Sequence, residues 1–254
     1  MPFDVICRSG MRGATPEGLR ALALADAWSG LPDGVTRWRL AAALRAAARP
    51  LGLSEPALRL IEHYIDLSFD RDWLPDSEPV ITRPLVEIAD QLGKSERQIR
   101  NIERRLVALG LLAWRDSGNH HRRGRRDRMT GRLIYGYGPT LAPIGVRATE
   151  IIALADEARR EVAETRRLRI AIAALRRRLR AAAAAAGADG QQTAVAQTLD
   201  RALPAGTPIA TLREHRDSLE ALARRLEQPT EHEDQAETSA QPEIRRRHHL
   251  KTDS

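Results

Sequence analysis

Apolar residues recur at intervals of three and four along most of the chain, which is the spacing of helices with one buried face. Three helices are predicted before residue 70, and each begins at a residue that can cap it. Thr15, Thr36 and Ser54 stand at these starts, and Pro16 and Pro56 occupy first-turn positions that favour proline. The first part of the chain is therefore predicted to be a helical bundle.

A second pair of helices is predicted after this bundle. Residues 83–92 form the first helix of the pair, and Gly93 supplies a turn position that tolerates a left-handed backbone. Ser95 can cap the second helix by accepting a hydrogen bond from the backbone amide near Gln98. The order of helix, glycine turn and capped helix predicts a helix-turn-helix.

The second helix of this pair has an apolar face and a basic face. Its apolar stripe consists of Ile99, Ile102, Leu106 and Leu109. The opposite face offers long donors that can bond to phosphates and to base edges in the major groove. The candidate DNA-binding residues in and before this helix are Lys94, Ser95, Arg97, Gln98, Arg100, Asn101, Arg104 and Arg105. For such a helix taken by itself, a solvated charged face is the alternative.

Two strands with a long basic loop between them are predicted next. The first begins after Leu109 and runs through Arg115, and the second covers 132–137, with Leu133, Tyr135 and Tyr137 on one face and the two tyrosines in the core. The loop at 116–127 is predicted to be a hairpin tip that straddles phosphates or enters a minor groove. The candidate DNA-binding residues of this region are His120, His121, Arg122, Arg123, Arg125, Arg126 and Arg128. Helix, strand, basic tip and strand in this order predict a winged helix-turn-helix, and a further short strand is predicted at 80–81.

The predicted fold class is mainly α: a helical bundle with a winged helix-turn-helix and a small β-hairpin wing, followed by a long helix and a disordered tail. Residues 1–14 are predicted to be a flexible arm and 15–147 the helical and winged-helix domain. An alanine- and arginine-rich helix follows at 148–186, then short helices and a linker at 187–228. The polar tail at 229–254, with its mixed charges, is predicted to be disordered.

The long helix carries an apolar stripe with alternating spacings of three and four. Its members are Thr165, Leu168, Ile172, Leu175 and Leu179. This spacing is typical of a short coiled coil and would make the protein a homodimer. Packing of the stripe against the chain's own domain is the alternative.

Positive charge concentrates in the predicted helix-turn-helix and wing. Between Lys94 and Arg132, twelve basic side chains stand against four acidic ones, a local net charge of +8 in a 254-residue chain whose total is +7. Such a field attracts a polyanion, and double-stranded DNA is the partner that the helix-turn-helix pattern favours. A membrane surface is the competing polyanion, but no amphipathic helix with large apolar anchors accompanies the cluster.

The candidate catalytic and metal-binding features are weak. Cys7 is the single cysteine, which excludes an intramolecular disulfide and a cysteine-based metal cluster. Residues 93–95 resemble the end of a phosphate-binding loop, but Ile88 occupies the position where that loop needs a glycine. Neighbouring histidines, as at 120–121 and 248–249, point to opposite faces of a strand and are poorly placed to share a metal. We predict no enzymatic activity, metal or cofactor, and a cytoplasmic protein associated with the nucleoid or a plasmid.

Several collinear segments resemble RepC, the replication initiator family of RepABC-type plasmids and secondary replicons in alphaproteobacteria. The similar segments within about residues 10–160 include 30–36, 92–100, 109–117, 124–127 and 135–144. The resemblance implies a protein that binds a plasmid origin, which in this family lies inside the initiator's own gene. It also implies that the protein recruits host replication proteins to start replication, and that it remodels DNA without cleaving it.

Two features depart from that family. The segment at 81–85 differs from the expected pattern, and the chain ends before the second globular domain that the family usually carries. A winged-helix transcriptional regulator is the alternative function, because the same recognition helix and wing would serve it. A nuclease or recombinase would need a metal cluster or an activated tyrosine, and neither is evident in the sequence.

Overall fold

The computed structural model describes residues 15–117, 121–185 and 202–227. The predicted arm at 1–14, His120, most of the linker and the tail at 229–254 lie outside these residues. The described helices are α1 (Pro16–Asp26), α2 (Arg37–Ala46), α3 (Glu55–Leu67), a 3₁₀ turn (Asp70–Trp73), α4 (Leu85–Leu92), α5 (Glu96–Ala108), α6 (Ala142–Val146), α7 (Ala148–Ala185) and α8 (Ile209–Glu227). The strands are β1 (Ala113–Arg115), β2 (Arg123–Arg126) and β3 (Leu133–Thr140). The predicted class, mainly α with a small β wing and a long helix, is confirmed.

Local capping explains where the first helices begin. The Thr15 hydroxyl accepts a hydrogen bond from the Gly18 amide at 3.1 Å, and the Thr36 hydroxyl accepts one from the Arg39 amide at 3.1 Å. Each bond satisfies one of the backbone amides that a helix start leaves unpaired. Ser54 precedes α3 with an extended backbone but forms no such bond through its side chain.

The main core forms where α2 and α3 pack with α5 and with the start of α7. Leu44, Ile61, Ile99, Leu112 and Ile151 are completely buried in it. These side chains come from well-separated parts of the sequence, so burial of their apolar surface links the helical bundle to the helix-turn-helix.

The sheet is antiparallel with the order β1-β3-β2, so that β3 lies in the centre. Ala113 of β1 pairs with Thr140, and Gly124 of β2 pairs with Gly136. At the predicted short strand 80–81, Val80 alone forms an isolated bridge, also to Thr140.

The wing differs from the predicted one because β2 occupies part of what the sequence indicated as loop. Residues 123–126 are not in the hairpin tip but pair with β3, and the turn lies at 127–132. A Cβ atom at Gly124 would lie 2.4 Å from the Thr82 side chain, and one at Gly138 would lie 2.2 Å from the Ile81 carbonyl oxygen. The glycines therefore let the sheet lie directly on the 80–82 segment.

The predicted burial of the two tyrosines of β3 is wrong. Tyr135 is 43% exposed and Tyr137 is half-buried, with their ring centroids 6.0 Å apart. Side chains alternate between the two faces of a strand, so the tyrosines lie on the other face from Gly136. The face of Gly136 packs on the 80–82 segment. An irregularity in the register pairs Leu133 with Arg126 and puts Leu133 on the buried side, away from the tyrosines.

The chain divides into two units, Met1–Val162 and Ala163–Ser254. The core of the second unit is formed where the stripe of α7 packs against α8. Its buried residues are Leu168, Ile172, Leu179, Leu212, Leu219 and Ala223. The apolar stripe of α7 that favoured a coiled coil therefore packs within this chain. Such packing is the alternative to the predicted dimer contact.

Candidate nucleic-acid interface

The turn between α4 and α5 has the predicted geometry. Gly93 adopts a left-handed conformation with φ of 60°, and the Lys94 amide donates to the Ala89 carbonyl at 2.9 Å. The Ser95 hydroxyl accepts from the Gln98 amide at 3.3 Å, while the Gln98 side-chain oxygen accepts from the Ser95 amide at 2.9 Å. This reciprocal cap fixes the start of α5. It also commits the Gln98 oxygen to the helix and leaves its amino group as the donor toward solvent.

One face of α5 is open to solvent over the whole helix. Its exposed polar residues are Ser95, Arg97, Gln98, Arg100, Asn101, Arg104 and Arg105, and Lys94 beside them is half-buried. Arg100 pairs with Glu96 at 2.5 Å, and Arg104 bonds to Asn101. Both partners lie within one turn of the same helix. Exposed pairs of this kind contribute little free energy, so a phosphate or a base edge can replace them at low cost.

Glu103 of α5 was not among the candidate residues of the sequence, but it has a structural role. Its side chain is 2% exposed and pairs with Arg122, itself 4% exposed, at 2.6 Å. The Tyr64 hydroxyl donates to Glu103 at 2.5 Å, and Arg122 donates to the Tyr64 oxygen at 3.2 Å. Burial, together with the negative charge of Glu103, raises the pKa of Tyr64, which keeps its hydroxyl protonated as a donor.

This network holds Arg122 inside the protein. The sequence predicted Arg122 as a DNA contact, whereas its guanidinium is buried and lies 5.2 Å from the ring centroid of Trp114. Arg122 immediately precedes β2, so its pair with Glu103 ties the base of the wing to α5. The spacing of Glu103 from Ile99 and Leu106 was the available signal, because four and three residues place it on the buried face.

Arg126 has a similar internal partner. Its two terminal nitrogens lie 2.7 Å from the two carboxylate oxygens of Asp72, which is completely buried. The guanidinium also lies 4.5 Å from the ring centroid of Phe69. A bidentate pair with a buried carboxylate is among the stronger protein hydrogen-bonded contacts, so Arg126 anchors β2 to the 3₁₀ turn.

The other candidate residues of the wing lie at the surface. His121, Arg123, Arg125 and Arg128 are exposed, and Arg123 lies 5.3 Å from the ring centroid of Tyr137. His120 is outside the described residues. The structure therefore leaves two basic elements exposed, the outer face of α5 and strand β2 with the turn at 127–132. Arg122 and Arg126 instead pair with Glu103 and Asp72 inside the protein.

Residues 15–117, 121–185 and 202–227 contain no group of three or more His, Cys, Asp and Glu side chains arranged to hold a metal ion. No helix there has both the length and the apolar character needed to cross a membrane.

Comparison with known proteins gives a consistent result. A family model described as the replication protein C N-terminal domain matches residues 12–187. A curated protein from Sinorhizobium fredii strain NGR234, described as a candidate replication protein C, is 31% identical over 203 residues. The aligned region covers 75% of this chain and 50% of that relative, so the chain spans about half the relative's length. No solved structure gives a significant match.

Proposed function

Because this chain belongs to the replication protein C family, we propose that it initiates plasmid replication by binding double-stranded DNA at the origin. The observation that carries the proposal is the structure of α5, a capped helix with one face buried and the other lined with exposed arginine and amide side chains. That is the arrangement of a recognition helix, whose inner face packs on its own domain while the outer face enters the major groove.

The proposal divides the work between α5 and the wing. Arginine can hold guanine with two hydrogen bonds, and asparagine can do so with adenine, so we assign base reading to α5. We assign the wing to the phosphate backbone, where contacts set register and carry little sequence information. The proposed DNA surface comprises Lys94, Ser95, Arg97, Gln98, Arg100, Asn101, Arg104, Arg105, His121, Arg123, Arg125 and Arg128.

Arg122 and Arg126 were predicted from the sequence as DNA contacts but are not part of this surface. Arg122 and Arg126 are held by Glu103 and Asp72, and exposing either arginine to DNA would deprive a buried carboxylate of its ion pair. His120 stays a prediction from the sequence alone.

The proposal places the protein on plasmid DNA in the cytoplasm, where it would recruit host replication proteins. It does not invoke a coiled-coil dimer, because the apolar stripe of α7, on which the dimer prediction rested, packs against α8. We propose no enzymatic step, since origin binding and DNA remodelling require none.

Footprinting of the full-length chain on its own coding sequence tests the proposal. Protection of a discrete site inside the gene, together with colonies when the gene alone is placed on a vector that cannot replicate, is the expected result. The Arg100→Ala variant, which lacks one of the proposed DNA contacts, should weaken the footprint. Protection of a promoter, without plasmid maintenance, would support a transcriptional regulator and overturn the initiator.

A further inference from the structure

The turn between β2 and β3 presents a methionine almost entirely to solvent. Met129 is 94% exposed, more than any other exposed large hydrophobic residue in the described part of the chain. Single exposed apolar residues are common on protein surfaces, so exposure alone assigns no function. The way the turn is built around Met129 carries the argument further.

Asp127 organises the turn. One oxygen of its carboxylate accepts from the amides of Met129 and Thr130, both at 2.8 Å. The Asp127 amide donates to the Arg132 carbonyl and the Gly131 amide donates to the Asp127 carbonyl, again at 2.8 Å. Gly131 has a left-handed backbone with φ of 65°, which a larger residue adopts only with strain. Met129 is therefore displayed on a backbone whose conformation is fixed by these four hydrogen bonds.

The two strand ends beside the turn are also fixed to the body of the unit. On the β2 side Arg126 pairs with buried Asp72 and donates to the Gly131 carbonyl at 3.1 Å. On the β3 side Arg132 donates to the Asp76 carbonyl at 2.8 Å and pairs with its carboxylate. The turn that carries Met129 is thus attached to the body of the unit at both strand ends.

Met129 has exposed basic side chains near it that suit a DNA backbone. Arg125 and Arg128 are exposed on the same hairpin, and cationic side chains there can hold the phosphates on either side of a groove. Proteins that bend DNA from the minor groove insert an apolar side chain between base pairs while basic residues hold the backbone. A hydrogen-bonded turn that carries a methionine beside exposed arginines has both elements.

We propose that Met129 is an apolar wedge that enters the minor groove at the bound site and unstacks neighbouring base pairs. This rests on the proposed DNA-binding function and adds a means of deforming the duplex. The additional backbone contacts that a bent duplex allows offset the cost of unstacking. The wedge accounts for an exposed methionine at a position where a polar residue would be better solvated.

The test uses the full-length chain and a duplex of the footprinted site from its own gene. The duplex carries a dye at each end for a bending measurement by energy transfer, and unstacked thymines are detected with permanganate. Wild-type protein and Met129→Leu, which keeps the apolar bulk, should bend the duplex and expose thymines. Met129→Ala should bind the same duplex but lose both signals, and Asp127→Ala, which releases the turn, should reduce both.

The possible failures are distinguishable. If the wild type binds neither this duplex nor a random-sequence duplex, both the DNA-binding proposal and the wedge are overturned. If it binds without bending or thymine exposure, or if Met129→Ala behaves as the wild type does, the wedge alone is overturned. Because Met129 is solvent-exposed, thermal unfolding of Met129→Ala should match the wild type.

Discussion

The outer face of α5 and the wing carry the same kind of residue but use it differently. On α5, Arg100 and Arg104 are exposed and bond only to residues within one turn of the helix. In the wing, Arg122 and Arg126 meet acids that lie 19 and 54 positions away in the sequence. A count of arginines in a segment therefore does not show which of them are open to a partner. The deciding feature is whether the fold brings a buried carboxylate opposite the arginine.

The comparison also predicts which arginines can be lost without harm to the fold. An exposed ion pair contributes at most about 1 kcal/mol, whereas removing one partner of a buried pair leaves an uncompensated charge that costs several kcal/mol. Substitutions in α5 should therefore affect DNA binding, and substitutions at Arg122 or Arg126 should affect stability first.

The largest effect is expected at Glu103. Replacing it with alanine leaves Arg122 buried without its carboxylate and should lower the free energy of unfolding by about 3–5 kcal/mol. Urea unfolding followed by circular dichroism measures the loss. Glu96→Ala is the matched control, because Glu96 pairs with Arg100 on the exposed face of the same helix and should cost less than about 1 kcal/mol. Equal unfolding midpoints for the two variants would contradict the distinction between buried and exposed pairs.

A smaller loss of stability is expected for Arg126→Ala. The arginine is 26% exposed, so water can partly replace it, and the variant should lose about 1–3 kcal/mol as Asp72 loses two charge-assisted hydrogen bonds. Arg125→Ala, one position earlier on the same strand, is exposed and should leave the unfolding curve unchanged. If Arg125→Ala destabilised the chain as much as Arg126→Ala, the role of Arg126 as an anchor would be wrong.

Arg100→Ala should weaken DNA binding without destabilising the fold. Loss of a base contact costs about 1–3 kcal/mol at the specific site, with less effect on random DNA. Arg125→Ala should weaken binding to both DNAs similarly and reduce the salt slope by about 1, as expected for a phosphate contact. Fluorescence anisotropy over a salt series measures both. The same specificity ratio in the two variants would refute the division of work between helix and wing.

Much of the fold was predictable because its signals are local. Thr15 and Thr36 stand at helix starts and cap them, and Gly93 marks the left-handed turn. The positions of β2 and Arg122 were not predictable in this way. Both depend on contacts with residues distant in sequence, the 80–82 segment and Glu103, and a run of arginines and glycines indicates a loop when read alone.

The smallest expected effect is a pH dependence of the wing turn that the start of α5 does not share. Hydrogen bonds from the Thr130 and Met129 amides lower the pKa of Asp127 below its ordinary value of 3.8. A lowered folded-state pKa means that the carboxylate stabilises the turn fully above about pH 3.8, and that this contribution is lost as pH falls through the lower folded value. In an amide NMR titration, Met129 and Thr130 should shift with a midpoint below 3.8, and Asp127→Asn should abolish this shift. The Gln98 amide should show no such midpoint, because the Ser95 hydroxyl that caps it does not ionise. A midpoint at or above 3.8 would mean that the carboxylate does not hold the turn.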